Sequence, residues 1–176
     1  LSVLGDDRPD ATGDGVVIVV VDSGADVRHP DLRAADGSTR VEAIVDMTGQ
    51  TAGCAADRPA PTVIRRSEID RVLAATEAAA TGPLVVDDEP IGADVAGRGT
   101  AHAGLAAGSG AASEGWLAGA APEATLVIVK QVSEAVPTST AGSGASPVLG
   151  CLDDALDEID LLLEELSQPA VLLMST

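Results

Sequence analysis

The position of Asp22 in the sequence indicates a possible functional role, because it comes directly after the apolar residues 16–21. A run of valine and isoleucine without polar alternation predicts a strand buried on both faces. In an open parallel sheet, side chains that bind or react gather where strands end at their carboxyl edge. Asp22 is therefore a candidate functional acid, and the alternative is an aspartate that caps the turn after the strand.

The elements expected around Asp22 alternate between strands and helices. Further strands are predicted at residues 41–46, 125–130 and 170–174. Helices are predicted at residues 67–80, 97–107 and 148–166, the first opened by a sequence that resembles a capping box from Ser67 to Asp70. Strands that alternate with helices in this way predict an α/β domain with a parallel sheet.

The last predicted helix has one apolar side and one acidic side. Its leucine and isoleucine residues recur at helical spacing, which predicts a surface helix with an apolar stripe: Leu152, Leu156, Ile159, Leu163 and Leu166. The opposite side carries many carboxylates, which indicate a solvated face rather than a cation site. Cys54 and Cys151 have no metal-ligand spacing, so they are predicted to be two isolated buried thiols and no metal is predicted.

The charge of the chain narrows its possible partners. There are 28 acidic residues against 10 lysine and arginine residues, a formal net charge of −18. Nucleic acids and anionic membranes are excluded as partners, because both are bound through clusters of basic residues. The sequence contains neither a signal peptide nor an apolar stretch long enough to cross a membrane.

Five short motifs occur in an order that is informative as a set. They are Val20-Val-Asp-Ser-Gly24, His29-Pro-Asp-Leu32, Gly97-Arg-Gly-Thr-Ala-His-Ala-Gly104, Gly119-Ala-Ala-Pro-Glu-Ala-Thr-Leu126 and Val171-Leu-Leu-Met-Ser175. Together they resemble the subtilase family of subtilisin-like serine proteases, over residues 13–176. Residues 35–48 are more specifically similar to the spore-germination protease branch of that family.

The resemblance implies a three-layer α/β fold with a mostly parallel sheet, incomplete at the C-terminus, after a lead-in of residues 1–12. It also implies that Asp22 matches the catalytic aspartate, which fixes the tautomer of a catalytic histidine. The place of that histidine is taken by Arg98. Because an arginine stays protonated, it cannot act as a general base, but it can form an ion pair with Asp22.

Two histidines remain as other candidates. His102 lies four residues after Arg98, on the same face of the predicted helix, and it is either a displaced base or a helix histidine satisfied inside the core. His29 matches a structural position of the family. The serine nucleophile is not found, since the family places it beyond the Met-Ser strand and no other complete nucleophile motif occurs.

By resemblance, the substrate peptide would pair with a segment that begins at Met174, Ser175 and Thr176. Gly142, Ser143 and Gly144 are predicted to form the facing edge. Asp31 matches a position that holds calcium in some members, but the partner loop, residues 108–115, lacks the asparagines of the family. We therefore expect neither a metal nor another cofactor.

The sequence predicts part of a serine endopeptidase domain that is inactive as this chain alone, and that acts on peptides or proteins. The missing C-terminal half would be a further partner. The alternative is a pseudoprotease that binds peptides or regulates another protein; a nucleotide-binding domain is disfavoured because no phosphate-binding glycine motif follows a strand. The compartment is not predicted, although secretion is usual in the family.

Overall fold

The fold was analysed in a computed structural model of the chain. It describes residues 11–49, 54, 57–76, 85–86, 89–90, 93–94, 97–131 and 151–174. Its strands are β1 (Val17–Asp22), β2 (Val41–Asp46), β3 (Thr62–Arg65), β4 (Val85–Val86), β5 (Glu89–Pro90), β6 (Thr125–Lys130) and β7 (Ala170–Met174). Its helices are α1 (Arg66–Thr76), α2 (Arg98–Ala107) and α3 (Leu152–Leu166).

The main sheet has five strands in the order β3-β2-β6-β1-β7. β1 pairs in parallel with β6 on one side and with β7 on the other, and β2 pairs in parallel with β6. Only β3 is antiparallel, at one edge beside β2. β4 and β5 form a separate antiparallel pair. The predicted α/β class with a mostly parallel sheet is confirmed.

The sheet is covered on both faces, which gives three layers. Ile18 and Val20 of β1 belong to a core cluster that includes residues of α1 and α2. Val19 and Val21 face the other way, into a second cluster with Ala155, Ile159 and Leu162 of α3. Because successive strand residues point to opposite faces, an unbroken valine run can supply both cores. This explains why β1 shows no polar alternation.

Several details differ from the prediction. Strand β3 was not predicted, because four residues with exposed ends give little apolar signal. Helix α1 begins at Arg66, so Ser67 lies inside the first turn rather than at its cap, and the predicted capping box is wrong. Asp70 instead accepts a hydrogen bond from the Thr39 amide at 2.6 Å. On α3, the predicted residues Leu152, Ile159, Leu163 and Leu166 pack on the core, whereas Leu156 is exposed and Leu162 is buried in addition.

The two cysteines are joined, which corrects the prediction of isolated buried thiols. Cys54 and Cys151 form a disulfide with Cα atoms 4.7 Å apart. Cys54 is exposed, whereas Cys151 is buried immediately before α3. The bond therefore fastens the segment after β2 to the beginning of α3. Of the helices described, none combines the length and apolar character that crossing a bilayer requires.

Candidate active site

Asp22 is a buried carboxylate at the carboxyl end of β1. Its side chain has no exposed surface. The Ser23 amide and Arg98 Nε both donate to Oδ1, each at 2.7 Å. The second oxygen, Oδ2, lies 2.7 Å from Nδ1 of His102. Both carboxylate oxygens are therefore bonded, as a buried charge requires.

Arg98 and His102 reach Asp22 from the same helix. Arg98 is the first residue of α2, and His102 follows one turn later. Residues four positions apart lie on one helical face, so both side chains meet the same carboxylate. Neither side chain is fully buried, with 45% of Arg98 and 34% of His102 exposed to solvent. The structure thus brings together all three residues that the sequence placed in the catalytic region.

The beginning of α2 is held against the loop after β1 by main-chain contact. A Cβ atom on Gly99 would overlap the carbonyl oxygen of Gly24, so only glycine allows this approach. The Gly99 amide donates to Ser23 Oγ at 3.1 Å. Asp26 adds a further link, since its amide donates to Thr100 Oγ1 at 2.9 Å. These bonds set the distance between Asp22 and the two side chains of α2.

Sequence reasoning missed Asp94, which organises the start of α2. Its Oδ1 accepts hydrogen bonds from Ser23 Oγ at 2.8 Å and from the Gly97 amide at 3.0 Å. Its Oδ2 accepts from the Thr100 amide at 2.7 Å and from Thr100 Oγ1 at 2.6 Å. A carboxylate near the first turn satisfies unpaired amides and complements the helix dipole. The available signal was an aspartate three residues before Gly97.

With this geometry established, the chain can be compared with known proteins. The family model described as the subtilase family matches residues 13–157. The chain belongs to the subtilase family. A search of curated proteins finds no match.

A solved structure supports the fold of this subtilase. The CspB protease of Clostridium perfringens has 21% sequence identity with it and a TM-score of 0.66. The similarity covers 97% of this chain and 30% of the CspB chain, so this subtilase spans less than a third of that protein. The likeness confirms the subtilisin-like fold expected from the motifs; the closer resemblance to a spore-germination branch stays a prediction.

The remaining predicted residues lie elsewhere in the subtilase fold. His29 Nδ1 accepts a bond from the Asp31 amide at 3.3 Å within a short helical turn. Asp31 Oδ1 accepts from the Ala112 amide at 2.8 Å, so this carboxylate ties two loops together. Met174 is the last residue of β7 and is exposed beside Val21. Ser175, Thr176, Gly142, Ser143 and Gly144 lie outside the described residues.

The partners of Asp22 favour its charged form. Burial raises the pKa of Asp22, but hydrogen bonds from His102 and Arg98, the Ser23 amide and the positive charge of Arg98 together outweigh it. The pKa of Asp22 therefore lies below its ordinary value of 3.8. Asp22 is an ionised acceptor throughout the neutral range.

This lowered pKa predicts a loss of stability in acid. Between the lowered pKa and 3.8, the unfolded chain binds more protons at this site than the folded chain does. The stabilisation is complete above 3.8 and is lost as the pH falls through the folded-state pKa. We expect the unfolding free energy of the wild type to fall more steeply in this range than that of Asp22→Asn.

Urea titrations at a series of acidic pH values measure this difference. Asp36 also has a lowered pKa, caused by hydrogen bonds from Ser38, but both proteins contain it, so its contribution cancels. Parallel curves for the two proteins would contradict the assignment to Asp22.

Proposed function

We propose that this subtilase domain is part of a serine endopeptidase domain, and that this chain alone does not hydrolyse peptide bonds. The observation that carries the proposal is the buried Asp22 carboxylate, which ends the central strand β1 and bonds to an imidazole Nδ1 at 2.7 Å. A carboxylate in that relation to histidine fixes the tautomer and stabilises the imidazolium during acyl transfer.

Two features support the absence of activity in this chain. Arg98 stands where the motif of the family has its catalytic histidine, and its permanently charged guanidinium cannot accept a proton. Ser23, the serine next to Asp22, is buried, donates to Asp94 and accepts from the Gly99 amide. Its hydroxyl is therefore committed to the beginning of α2 and is unsuited to attack a peptide.

The exposed edge of the sheet supports a further partner. β7 pairs with β1 on one side, and among the strands that the structure describes it is the last of the sheet on the other side. Val171 and Leu172 point to opposite faces of β7, and both are exposed. Apolar edge strands of this kind are suited to pairing with another strand. In our proposal the C-terminal portion of a subtilase domain occupies this edge, and a peptide or protein substrate binds near Met174.

A fluorophosphonate probe tests the proposed inactivity, because it labels only activated serine hydroxyls. We expect neither labelling of the purified chain nor cleavage of a mixture of fluorogenic peptides. Arg98→His should remain unlabelled as well, since restoring an imidazole supplies no nucleophile. A complete subtilisin is the positive control. Labelling of the native chain, absent after heat denaturation, would overturn the proposal.

The ion pair between Arg98 and Asp22 favours a second candidate, a pseudoprotease that binds peptides. Its Nε–Oδ1 distance is 2.7 Å, and Asp22 lies within the fold. A charged pair can preserve the architecture of a relay while proton transfer is lost. This candidate predicts saturable binding of an extended peptide, measured by fluorescence polarisation, with no cleavage after prolonged incubation.

A further inference from the structure

The imidazole of His102 is positioned for a role that the motif assigns to another residue. We propose that His102 is the general base of this site, displaced by one helical turn from the position that Arg98 occupies. The inference rests on the proposed endopeptidase function and names the group that moves the proton. It is carried by the contact of His102 Nδ1 with Asp22 Oδ2 at 2.7 Å.

This contact determines which ring nitrogen is available. An ionised carboxylate only accepts hydrogen bonds, so Nδ1 of a neutral His102 must carry the proton. Nε2 then holds a lone pair on the opposite side of the ring. Within the part of the chain that the structure describes, Asp22 is the only hydrogen-bond partner of the His102 imidazole. The side chain is 34% exposed, and Nε2 is not among the fully buried polar atoms that lack a partner in the described residues, so solvent can reach it.

Arg98 does not compete with His102 for the carboxylate. Its Nε donates to Oδ1, whereas His102 meets Oδ2. The two contacts hold the carboxylate from both sides and limit its rotation. Arg98 also favours the ionised form of Asp22, so the acceptor for Nδ1 persists at neutral pH. Arg98 removes the base from the position that the family motif gives it, but it leaves the contact between Asp22 and His102 intact.

The proposed reaction uses a serine hydroxyl as its nucleophile, and a polypeptide outside this chain supplies that serine. The serine oxygen forms a bond to the scissile carbonyl carbon while Nε2 takes its proton. The resulting imidazolium returns that proton to the departing amine as the C–N bond breaks. In the second half, water gives a proton to Nε2, attacks the acyl group and releases the acid, and the proton returns to the serine oxygen.

An activated ester tests whether Nε2 is reactive in the chain as it exists. With p-nitrophenyl acetate, Nε2 attacks the ester carbonyl, p-nitrophenolate leaves, and water hydrolyses the acyl-imidazole to acetate. His29 and His102 are the two histidines of the chain, so His29→Gln isolates the response of His102. We expect His29→Gln to release p-nitrophenolate at least about tenfold faster than His29→Gln/His102→Gln, near neutral pH.

Further variants separate His102 from its neighbours. His29→Gln/Asp22→Asn should lose most of this rate, since Asn no longer fixes the tautomer. His29→Gln/Arg98→Gln should lose less than His29→Gln/His102→Gln, because a guanidinium does not attack the ester. Circular dichroism confirms folding, and the His102 comparison decides the result even where Asp22→Asn fails to fold. NMR of the imidazole nitrogens should find the proton on Nδ1.

The outcomes distinguish this inference from the proposed function. Equal ester rates with and without His102, or a proton on Nε2, would overturn the role of His102, as a histidine satisfied in the core predicts. Such results would leave the family function standing. Phosphonate labelling of the chain would instead overturn the proposed inactivity, whatever the ester rates are.

Discussion

The double substitution Cys54→Ala/Cys151→Ala is expected to lower the free energy of unfolding by about 4 kcal/mol. The disulfide joins residues separated by 97 positions. A covalent link across so long a segment removes many conformations from the unfolded chain, which raises its free energy relative to the folded state. Urea unfolding under oxidising conditions, with wild type and variant side by side, measures the difference.

Reduction of the wild type is the matched control for this prediction. Dithiothreitol should bring its urea midpoint close to that of the double variant and should leave the variant unchanged. Since α3 packs on the face of the sheet opposite to α2, we expect the contacts of Asp22 to survive until the domain unfolds. Coincident midpoints for the oxidised wild type and the double variant would contradict the prediction.

Gly99→Ala is expected to destabilise the domain by about 3 kcal/mol through a single added methyl group. The new Cβ would overlap the carbonyl oxygen of Gly24, and this atom belongs to the backbone rather than to a flexible side chain. Helix α2 must therefore move away from β1. That movement lengthens both contacts with Asp22, so the unfolding midpoint and the proton position on His102 should change together.

Gly104→Ala is the control in the same helix. A Cβ at this position meets no atom within 4 Å apart from its chain neighbours and the backbone of its own helix, and alanine favours a helix more than glycine does. We expect Gly104→Ala to gain about 0.5–1 kcal/mol and to leave the NMR signals of His102 unchanged. If both alanine variants had the same stability, the close approach of Gly99 and Gly24 would not limit the position of α2.

The parts of the fold that the sequence predicted are those with a strong local signal. Strands β2, β6 and β7 have the predicted bounds, because apolar residues, many of them β-branched, dominate each of these segments. Strand β3 was not predicted, because its pairing with β2, rather than its own composition, makes it a strand. The disulfide could not be predicted from the sequence either, since only folding brings Cys54 next to Cys151.

The candidate site was predictable up to the docking of α2. The motif order placed Asp22 and Arg98 together, and helical spacing put His102 on the same face. Both the first and the fifth residue of α2 reach the carboxylate, and this depends on how closely Gly99 approaches Gly24. The network around Asp94 has the same origin, because its four acceptor bonds form only when the start of α2 meets Ser23.

The contact between β1 and α2 is formed by the backbone of Gly24 and Gly99 and by the buried hydroxyl of Ser23. None of these atoms belongs to residue 98 or 102. The residues that fix the position of α2 therefore differ from the two α2 residues whose side chains contact Asp22. We expect a substitution at residue 98 or 102 to change the group that faces the carboxylate without changing the contact between α2 and the loop after β1. A helix fixed in this way can carry its functional side chain at either of two positions one turn apart, with the same packing against the sheet.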